Sequence, residues 1–143
     1  MIWFEKKLTI EQVDKINYVN LCELLDIRMT KLTENSLIGE MPLSNKVYQP
    51  QNILHGGVSC VLAETLGSVA ANCCLDMKKQ VALGLEINAN HLRQAKEGIL
   101  IGEATPVKLG KRIHVWSIAI KNNEKLVCQS RMTLSIVDRD LVQ

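Results

Sequence analysis

The sequence has few aromatic residues, little net charge and no long run of basic side chains. Two tryptophans, two tyrosines and one phenylalanine are its only aromatic residues, and the formal net charge is +2. Nucleic-acid-binding domains normally carry a basic stripe or an aromatic platform on which bases stack. The most apolar segment, Val58 to Leu75, is interrupted by Glu64 and Asn72, unlike a membrane-spanning helix. We therefore expect no nucleic-acid partner and no membrane association.

The cysteines show no pattern that would hold a metal ion or a disulfide framework. They number five, an odd count, and show no C-x-x-C spacing. The first residues place a short apolar patch before the charges, whereas a secretory signal has the reverse order and a longer apolar region. We expect a cytoplasmic protein with reduced thiols and no metal site.

No compositional boundary divides the chain. Its 143 residues suit one domain, and 47% apolar with 22% charged residues is a globular balance. No internal repeat or linker rich in serine or proline interrupts it. We expect a single domain over residues 1–143, with 138–143 as a C-terminal tail.

Apolar periodicity predicts the order of helices and strands. Thr9 and Gln12 have the spacing of a capping box, which predicts a short helix at 9–19. The run 58–74 is apolar on nearly all sides and too long for a strand, so we expect a buried central helix there. Strand-like runs lie at 24–33, 36–42, 81–92, 98–106, 112–121 and 125–137. This order indicates an α+β fold, an antiparallel β-sheet wrapped around one long central helix.

Glu64 is the carboxylate that stands out in the central helix. Much of that helix should be buried, and an unpaired buried carboxylate costs several kcal/mol. We therefore expect Glu64 to be paired, protonated or facing a cavity. The alternative is a helix that exposes this one stripe to solvent. Perturbed carboxylates are enriched at functional sites, which favours a catalytic role.

His55, Gly56 and Gly57 open the same helix. Free backbone N–H groups at the positive end of a helix dipole can stabilise an oxyanion, and glycine allows close approach. The alternative is a tight turn in which His55 is a core or capping residue. With Gln49 six residues before His55 and Glu64 further along, the set suits the attack of water on a polarised carbonyl.

The motifs of several other mechanisms are missing. The sequence has no G-x-S-x-G, G-x-G-x-x-G or Walker motif. Cys60 near His55 resembles a Cys–His pair, but a cysteine in an apolar helix is usually unreactive. Basic residues at Arg93 and across 108–112 suit phosphate contacts, the alternative being solvated loop charges.

Taken together, these residues resemble the hotdog-fold acyl-CoA thioesterases. The resemblance is to the branch of arylacyl-CoA (4-hydroxybenzoyl-CoA, Arthrobacter-type) and 1,4-dihydroxy-2-naphthoyl-CoA hydrolases, and it runs from Met1 to about Ile136. The segments that carry it are Gln49-Pro50, Leu54 to Gly57, Leu62 to Ala70, Gly84 to His91 and Leu109 to Arg112.

The resemblance implies a homo-oligomer, commonly a dimer of dimers, in which two sheets pair edge to edge and sites lie between subunits. It assigns the acidic catalyst to Glu64, the oxyanion-hole amide to Gly56 and a water-positioning role to Ser68. It assigns substrate orientation to Gln49 and His55. The implied substrate- and CoA-binding positions are Gly84, His91, Leu92, Arg93, Lys108, Leu109, Gly110, Lys111 and Arg112.

We therefore expect an enzyme that hydrolyses an aromatic acyl-CoA to the free acid and CoA. One candidate substrate is the 1,4-dihydroxy-2-naphthoyl-CoA of menaquinone synthesis. Glu64 would act as general base or as nucleophile, and CoA would be part of the substrate, with no separate cofactor. The alternatives are a broad-range or medium-chain acyl-CoA thioesterase, an acyl-thioester hydratase or dehydratase, and a non-catalytic acyl-CoA-binding module.

Overall fold

Six antiparallel strands and one long helix dominate the computed structural model, which describes residues 1–142. The helices are α1 (Ile10–Asn17), α2 (Leu21–Leu25) and α3 (Gly56–Cys73), with 3-10 turns at Asn45–Val47 and Arg139–Leu141. The strands are β1 (Arg28–Leu32), β2 (Leu37–Pro42), β3 (Gln80–His91), β4 (Ile99–Leu109), β5 (Ile113–Asn122) and β6 (Lys125–Asp138). Their order across the sheet is β1-β2-β4-β5-β6-β3. The two edges of the sheet are therefore β1 and β3.

The long helix α3 packs on one face of this sheet. Side chains of β4, β5 and β6 alternate between buried and more exposed positions, as expected when one face of a sheet covers a core. The helix buries Leu62, Leu66 and Val69 in that core. The predicted fold class, an α+β domain with an antiparallel sheet wrapped around a central helix, is confirmed.

The Leu66 side chain lies at a close contact between α3 and the sheet. Gly39 of β2 and Gly102 of β4 lie directly opposite each other, and the Leu66 side chain lies against both. A Cβ atom on Gly39 would lie 2.6 Å from Leu66 Cδ2. On the helix itself, a Cβ atom on Gly67 would lie 2.9 Å from the sulfur of Met132. Because Gly39, Gly102 and Gly67 carry no Cβ atom at these contacts, the helix can lie close to the strands.

Helix α1 is held against β1 by polar contacts. The predicted capping box is present: the Gln12 N–H donates to Thr9 Oγ1, and the Thr9 N–H donates to Gln12 Oε1. Asp14 accepts a 2.8 Å hydrogen bond from the Met29 N–H and forms an ion pair with Arg28. These bonds fix the position of α1 relative to the first edge of the sheet.

The strand predicted at 24–33 is wrong in its first part. Residues Leu21–Leu25 form α2, which ends at Asp26 in the left-handed conformation with φ of 53°. Strand β1 then begins only at Arg28. A short apolar run is compatible with a strand or a helix, and here the left-handed turn at Asp26 separates the two.

The remaining boundaries differ from the predicted ones by a few residues. The central helix begins at Gly56 rather than Val58, because both glycines of the Gly56-Gly57 pair are helical. At the C-terminus β6 continues to Asp138 and a 3-10 turn follows. The predicted tail over 138–143 ends in Gln143, which lies outside the described residues.

Replacing Gly102 with alanine tests the close packing at Leu66. The added methyl group would overlap the Leu66 side chain, and overpacking of this kind costs about 1–3 kcal/mol. We expect Gly102→Ala to lower the free energy of unfolding by that amount in urea titrations. The neighbouring Glu103→Ala, on the exposed face of β4, is the control and should change stability by less than about 0.5 kcal/mol. Equal stability of Gly102→Ala and wild type would contradict the packing argument.

His114 predicts a pH dependence of stability. Its side chain is buried, its Nδ1 has no hydrogen-bond partner within residues 1–142, and desolvation by burial lowers its pKa from 6.5. An unfolded histidine therefore takes up a proton at a higher pH than the folded one. The contribution of neutral His114 to the free energy of unfolding is fully present above about pH 6.5 and is lost as pH falls towards the lowered pKa of the folded state. Urea titrations from pH 7 to pH 5 should show a smaller loss of stability in His114→Gln than in wild type, and parallel losses would exclude His114 as the source.

Candidate active site

His55 caps the start of α3 and leaves one backbone donor free. Its Nδ1 accepts a 2.9 Å hydrogen bond from the Gly57 N–H, and its carbonyl accepts another from the Val58 N–H. The Gly56 N–H has no acceptor within residues 1–142. An unpaired N–H at the positive end of a helix can stabilise an oxyanion. The free amide therefore lies at the position for which the sequence predicted an oxyanion hole.

The same cap determines which nitrogen of His55 carries a proton. Because Nδ1 accepts a bond from Gly57, the proton of the neutral ring belongs on Nε2. The His55 side chain is exposed, so Nε2 can donate to a second group outside the helix. His55 is thus a capping residue, one alternative from the sequence, and its free Nε2 donor is also compatible with the other alternative, a role beside an oxyanion site.

A cavity of about 210 Å³ lies beside this helix start. Four predicted site residues line it, namely Gln49, Gly56, His91 and Arg93. The His91 ring packs on Gly56, where a Cβ atom would lie 3.0 Å from His91 Nε2. Ser59 also lines this cavity and was missed by sequence reasoning. Its spacing of three residues from Gly56, which puts both on one helix face, was the available signal.

Arg93 lines this cavity and forms hydrogen bonds to the backbone of β6. Its guanidinium Nη1 donates to the Leu126 carbonyl over 2.7 Å. The Leu92 and Arg93 N–H groups both donate to the Val127 carbonyl, over 2.8 and 3.3 Å. The chain therefore bends after β3, so that Arg93 lines the cavity whereas Leu92 is 50% exposed.

Glu64 lies at a different place on α3. Eight residues separate it from Gly56, which is about 12 Å of helix at 1.5 Å per residue. Its side chain is exposed, and no cation pairs with it within residues 1–142. Its Oε1 atom lies 3.3 Å from where a Cβ atom on Gly84 would be. The carboxylate therefore lies over the glycine of edge strand β3.

In this one chain Glu64 is neither buried nor paired with a cation within residues 1–142. Gly84 belongs to the last strand of the sheet, so no further strand covers α3 on this side. The polar stripe on α3, which consists of Gly57, Cys60, Val61, Glu64 and Ser68, is therefore open, as in the alternative considered from the sequence. An exposed carboxylate carries no desolvation penalty, so burial itself is no argument for a catalytic Glu64.

Ser68 and the basic hairpin (residues 108–112) lie outside the cavity at Gly56. Ser68 lines a second cavity, one helical turn beyond Glu64. The basic hairpin joins β4 to β5, and four of its five residues are exposed, Gly110 being the exception. The structure therefore does not bring all of the predicted site residues together within one chain.

The register of the sheet divides these residues between two ends of β3. Ile113, next to the basic hairpin, pairs with Ser135, which also pairs with Leu83 near the start of β3. His91 pairs with Cys128 at the far end of β3. The basic hairpin and Glu64 therefore belong to one end, and the cavity at Gly56 belongs to the other.

All five cysteines are unpaired within residues 1–142. Burial raises the pKa of Cys73 to about 11 and that of Cys74 to about 12, so both are protonated at neutral pH and are poor nucleophiles. No group of three or more histidine, cysteine or acidic side chains suited to a metal ion occurs in residues 1–142. Over the same residues, no helix has the length and apolar character needed to cross a membrane.

Comparison with known families links this geometry to a reaction class. Residues 51–129 match the model of the Thioesterase superfamily. This range includes the whole of α3, the cavity-lining residues His91 and Arg93, and the basic hairpin. Gln49 lies just before it.

Similar proteins and structures extend the match to nearly the whole chain. A Pasteurella multocida protein with the provisional name of an esterase is 47% identical over 137 residues, covering 95% of this chain and 97% of that protein. The 1,4-dihydroxy-2-naphthoyl-CoA hydrolase of Escherichia coli is 42% identical over 138 residues, with 96% and 100% covered. The crystal structure of a glutamine-to-alanine mutant of a Pseudomonas aeruginosa thioesterase superposes with a TM-score of 0.92 at 35% identity, covering 96% of this chain and 99% of that one.

Proposed function

The chain belongs to the thioesterase superfamily, and from this premise we propose that it hydrolyses aromatic acyl-CoA thioesters to the free acid and CoA. The free N–H of Gly56 at the start of α3 is the observation that carries the proposal. The name of the similar E. coli enzyme supports an aromatic acyl group and makes 1,4-dihydroxy-2-naphthoyl-CoA the first substrate to test.

The reaction needs a group that stabilises the oxygen of the thioester carbonyl. The Gly56 N–H is free to donate to that oxygen, with the helix dipole behind it. His55 Nε2 and the Gln49 side chain are further donors near the same point. As negative charge develops on the oxygen in the transition state, hydrogen bonds to it strengthen, which lowers the barrier.

Glu64 supplies the second half of the chemistry. Its carboxylate either removes a proton from the attacking water or attacks the carbonyl carbon itself to form an anhydride that water then hydrolyses. In either case the carbon–sulfur bond breaks and CoA leaves as a thiolate, a good leaving group that needs no strong general acid. No cofactor takes part in this scheme.

The separation of Gly56 from Glu64 favours a site made of two chains. A general base acts within hydrogen-bond reach of the water, roughly 3 Å away, and the water attacks a carbonyl held by the oxyanion donor. In one chain the Glu64 carboxylate lies over Gly84, whereas the Gly56 amide lies beside His91. We propose that each site combines the Gly56 end of one subunit with Glu64 of another.

The unpaired edge of β3 offers a way to bring these two ends together. If two copies of β3 pair antiparallel about a two-fold axis near Ile87 and Asn88, Gly84 of one chain lies opposite the partner's His91. Glu64, which lies over Gly84, then faces the partner's oxyanion donor. The proposed oligomer is therefore at least a dimer, and the resemblance to the family extends this to a dimer of dimers.

The same pairing joins the two groups of basic residues. The basic hairpin belongs to the Glu64 end of β3, and Arg93 to the Gly56 end. Two-fold pairing brings one chain's hairpin towards the partner's Arg93. Lys111 and Arg112 are exposed and suit the phosphates of CoA at the mouth of the shared site.

Removing the charge of Glu64 tests its catalytic role. We expect Glu64→Gln to lower kcat by at least about 100-fold, the lower range for losing a positioned acid or base. Thermal unfolding should be unchanged, because glutamine keeps the shape of the side chain and Glu64 forms no ion pair within residues 1–142. Thiol release from acyl-CoA substrates, followed with 4,4′-dithiodipyridine, measures kcat. Glu103→Gln on the outer face of β4 is the matched control and should retain full activity. A folded Glu64→Gln enzyme with normal turnover would remove Glu64 from the mechanism.

Mixing two inactive variants tests whether the site is shared. His55→Ala damages the oxyanion end and Glu64→Gln damages the acid end. If each site takes one end from each chain, a mixed dimer has one intact site and one site with both lesions. Unfolding and refolding an equal mixture should therefore restore about one quarter of wild-type activity, since half of the dimers are mixed and half of their sites are intact. Mass spectrometry checks that subunits exchanged, and no recovery after complete exchange would indicate a site within one chain.

A further inference from the structure

A second cavity continues the polar stripe of α3 beyond Glu64. It has a volume of about 250 Å³ and lies between α1, α3 and the start of β3. Val13 and Ile16 of α1, Val69 of α3 and Val81 of β3 give it apolar walls. Ser68 also lines it. Because Ser68 follows Glu64 by four residues, the two side chains are neighbours on one face of the helix.

The position of this cavity suits the acyl part of a thioester. The carbonyl carbon bears two substituents that leave it in different directions, the acyl group and the sulfur of CoA. The 250 Å³ cavity contains Ser68, one helical turn beyond Glu64, and Arg139 is the one basic residue in its lining. An acyl group whose carbonyl lies beside Glu64 would therefore extend past Ser68 towards α1.

Asn17 places a polar group in the otherwise apolar wall contributed by α1. Its Nδ2 donates a 2.8 Å hydrogen bond to the Val13 carbonyl, which identifies Oδ1 as the remaining atom of the amide. That oxygen receives no hydrogen bond within residues 1–142, and neither does the Ser68 hydroxyl donate one there. An acceptor of this kind is best paired with a donor on the ligand, since leaving it desolvated and unpaired costs free energy.

The exposed residues that line the cavity are Ile16, Met77 and Arg139. Ile16 is 66% exposed and Met77 is 40% exposed, although both line the cavity. An aromatic ring entering here would cover apolar surface at the mouth and along the valine walls. A ring that also carries a hydroxyl at its far end would meet the free oxygen of Asn17.

We propose that α1 forms the distal wall of the acyl pocket and that Asn17 selects hydroxyaryl acyl groups through a hydrogen bond from the ring hydroxyl to its Oδ1 atom. This inference rests on the proposed thioesterase function and adds to it a specificity-determining residue. Asn17 does not touch the reacting atoms. It changes which acyl group is accepted and leaves the chemistry at Gly56 and Glu64 unaltered.

The test compares matched substrates in wild type and in Asn17→Leu. The substrates are 4-hydroxybenzoyl-CoA and benzoyl-CoA, which differ only in the hydroxyl. Losing one hydrogen bond should lower the ratio of kcat/KM for 4-hydroxybenzoyl-CoA to kcat/KM for benzoyl-CoA at least about 5-fold in Asn17→Leu, because only the hydroxylated substrate makes that bond. Lys15→Ala is the matched control, since Lys15 is on α1 but outside this cavity. It should leave the ratio unchanged.

A second variant keeps the inference testable if Asn17→Leu is unstable. Ile16 is exposed, so Ile16→Trp should fold normally while narrowing the mouth. We expect it to raise KM for the bulky 1,4-dihydroxy-2-naphthoyl-CoA at least about 5-fold more than it raises KM for benzoyl-CoA.

The outcomes separate this inference from the proposed function. Failure of the wild-type protein to release CoA from any acyl-CoA would overturn the proposed function and the inference with it. Two results with an active wild type would overturn the inference alone. One is a kcat/KM ratio of 4-hydroxybenzoyl-CoA to benzoyl-CoA that is the same in Asn17→Leu as in wild type. The other is a KM for 1,4-dihydroxy-2-naphthoyl-CoA that is the same in Ile16→Trp as in wild type. A uniform fall for all substrates in Asn17→Leu would do the same, because it would indicate a structural role.

Discussion

The contact of Leu66 with the paired glycines Gly39 and Gly102 sets the distance between α3 and the sheet. The positions of the candidate site residues depend on the position of that helix. Its start brings the Gly56 amide against His91, and its third turn brings the Glu64 carboxylate over Gly84. A helix lifted by the thickness of a methyl group would loosen both contacts at once, although neither lies at Leu66. The packing of the core and the geometry of the site are in this sense one constraint.

The parts of the fold that depend on local pattern could be predicted from the sequence. The capping box at Thr9 and the apolar run of α3 are local signals, and the structure contains both helices. The apolar run before β1 was ambiguous because its identity as helix or strand depends on the left-handed turn at Asp26. Aspartate adopts the left-handed conformation only in some contexts, so the sequence could not show whether this run forms a helix or a strand.

The sequence suggested residues for a candidate site, whose catalytic roles stay predictions, but it held no information on how those residues are arranged. His55, Gly56, Gln49 and Glu64 were identified from type and spacing. The exposure of Glu64 depends on β3 being the last strand, and the separation of the basic hairpin from Arg93 depends on the register of β3 with β6. Both are pairings between residues far apart in sequence, for which a single sequence holds no direct signal. Ser59 was missed because a serine in an apolar helix gives no sign of function in the sequence, and only the structure shows the cavity that it lines.

The edge strand β3 has a consequence for the behaviour of the protein in solution. It runs for twelve residues, and Leu83 and Leu85 on it are 39% and 61% exposed. A long edge with exposed leucines is a template for uncontrolled strand addition, and natural proteins protect such edges. If partner pairing both covers this edge and completes the site, dissociation of the dimer on dilution abolishes activity and exposes an aggregation-prone edge in the same step. The concentration that keeps the enzyme working is then also the one that keeps it from aggregating.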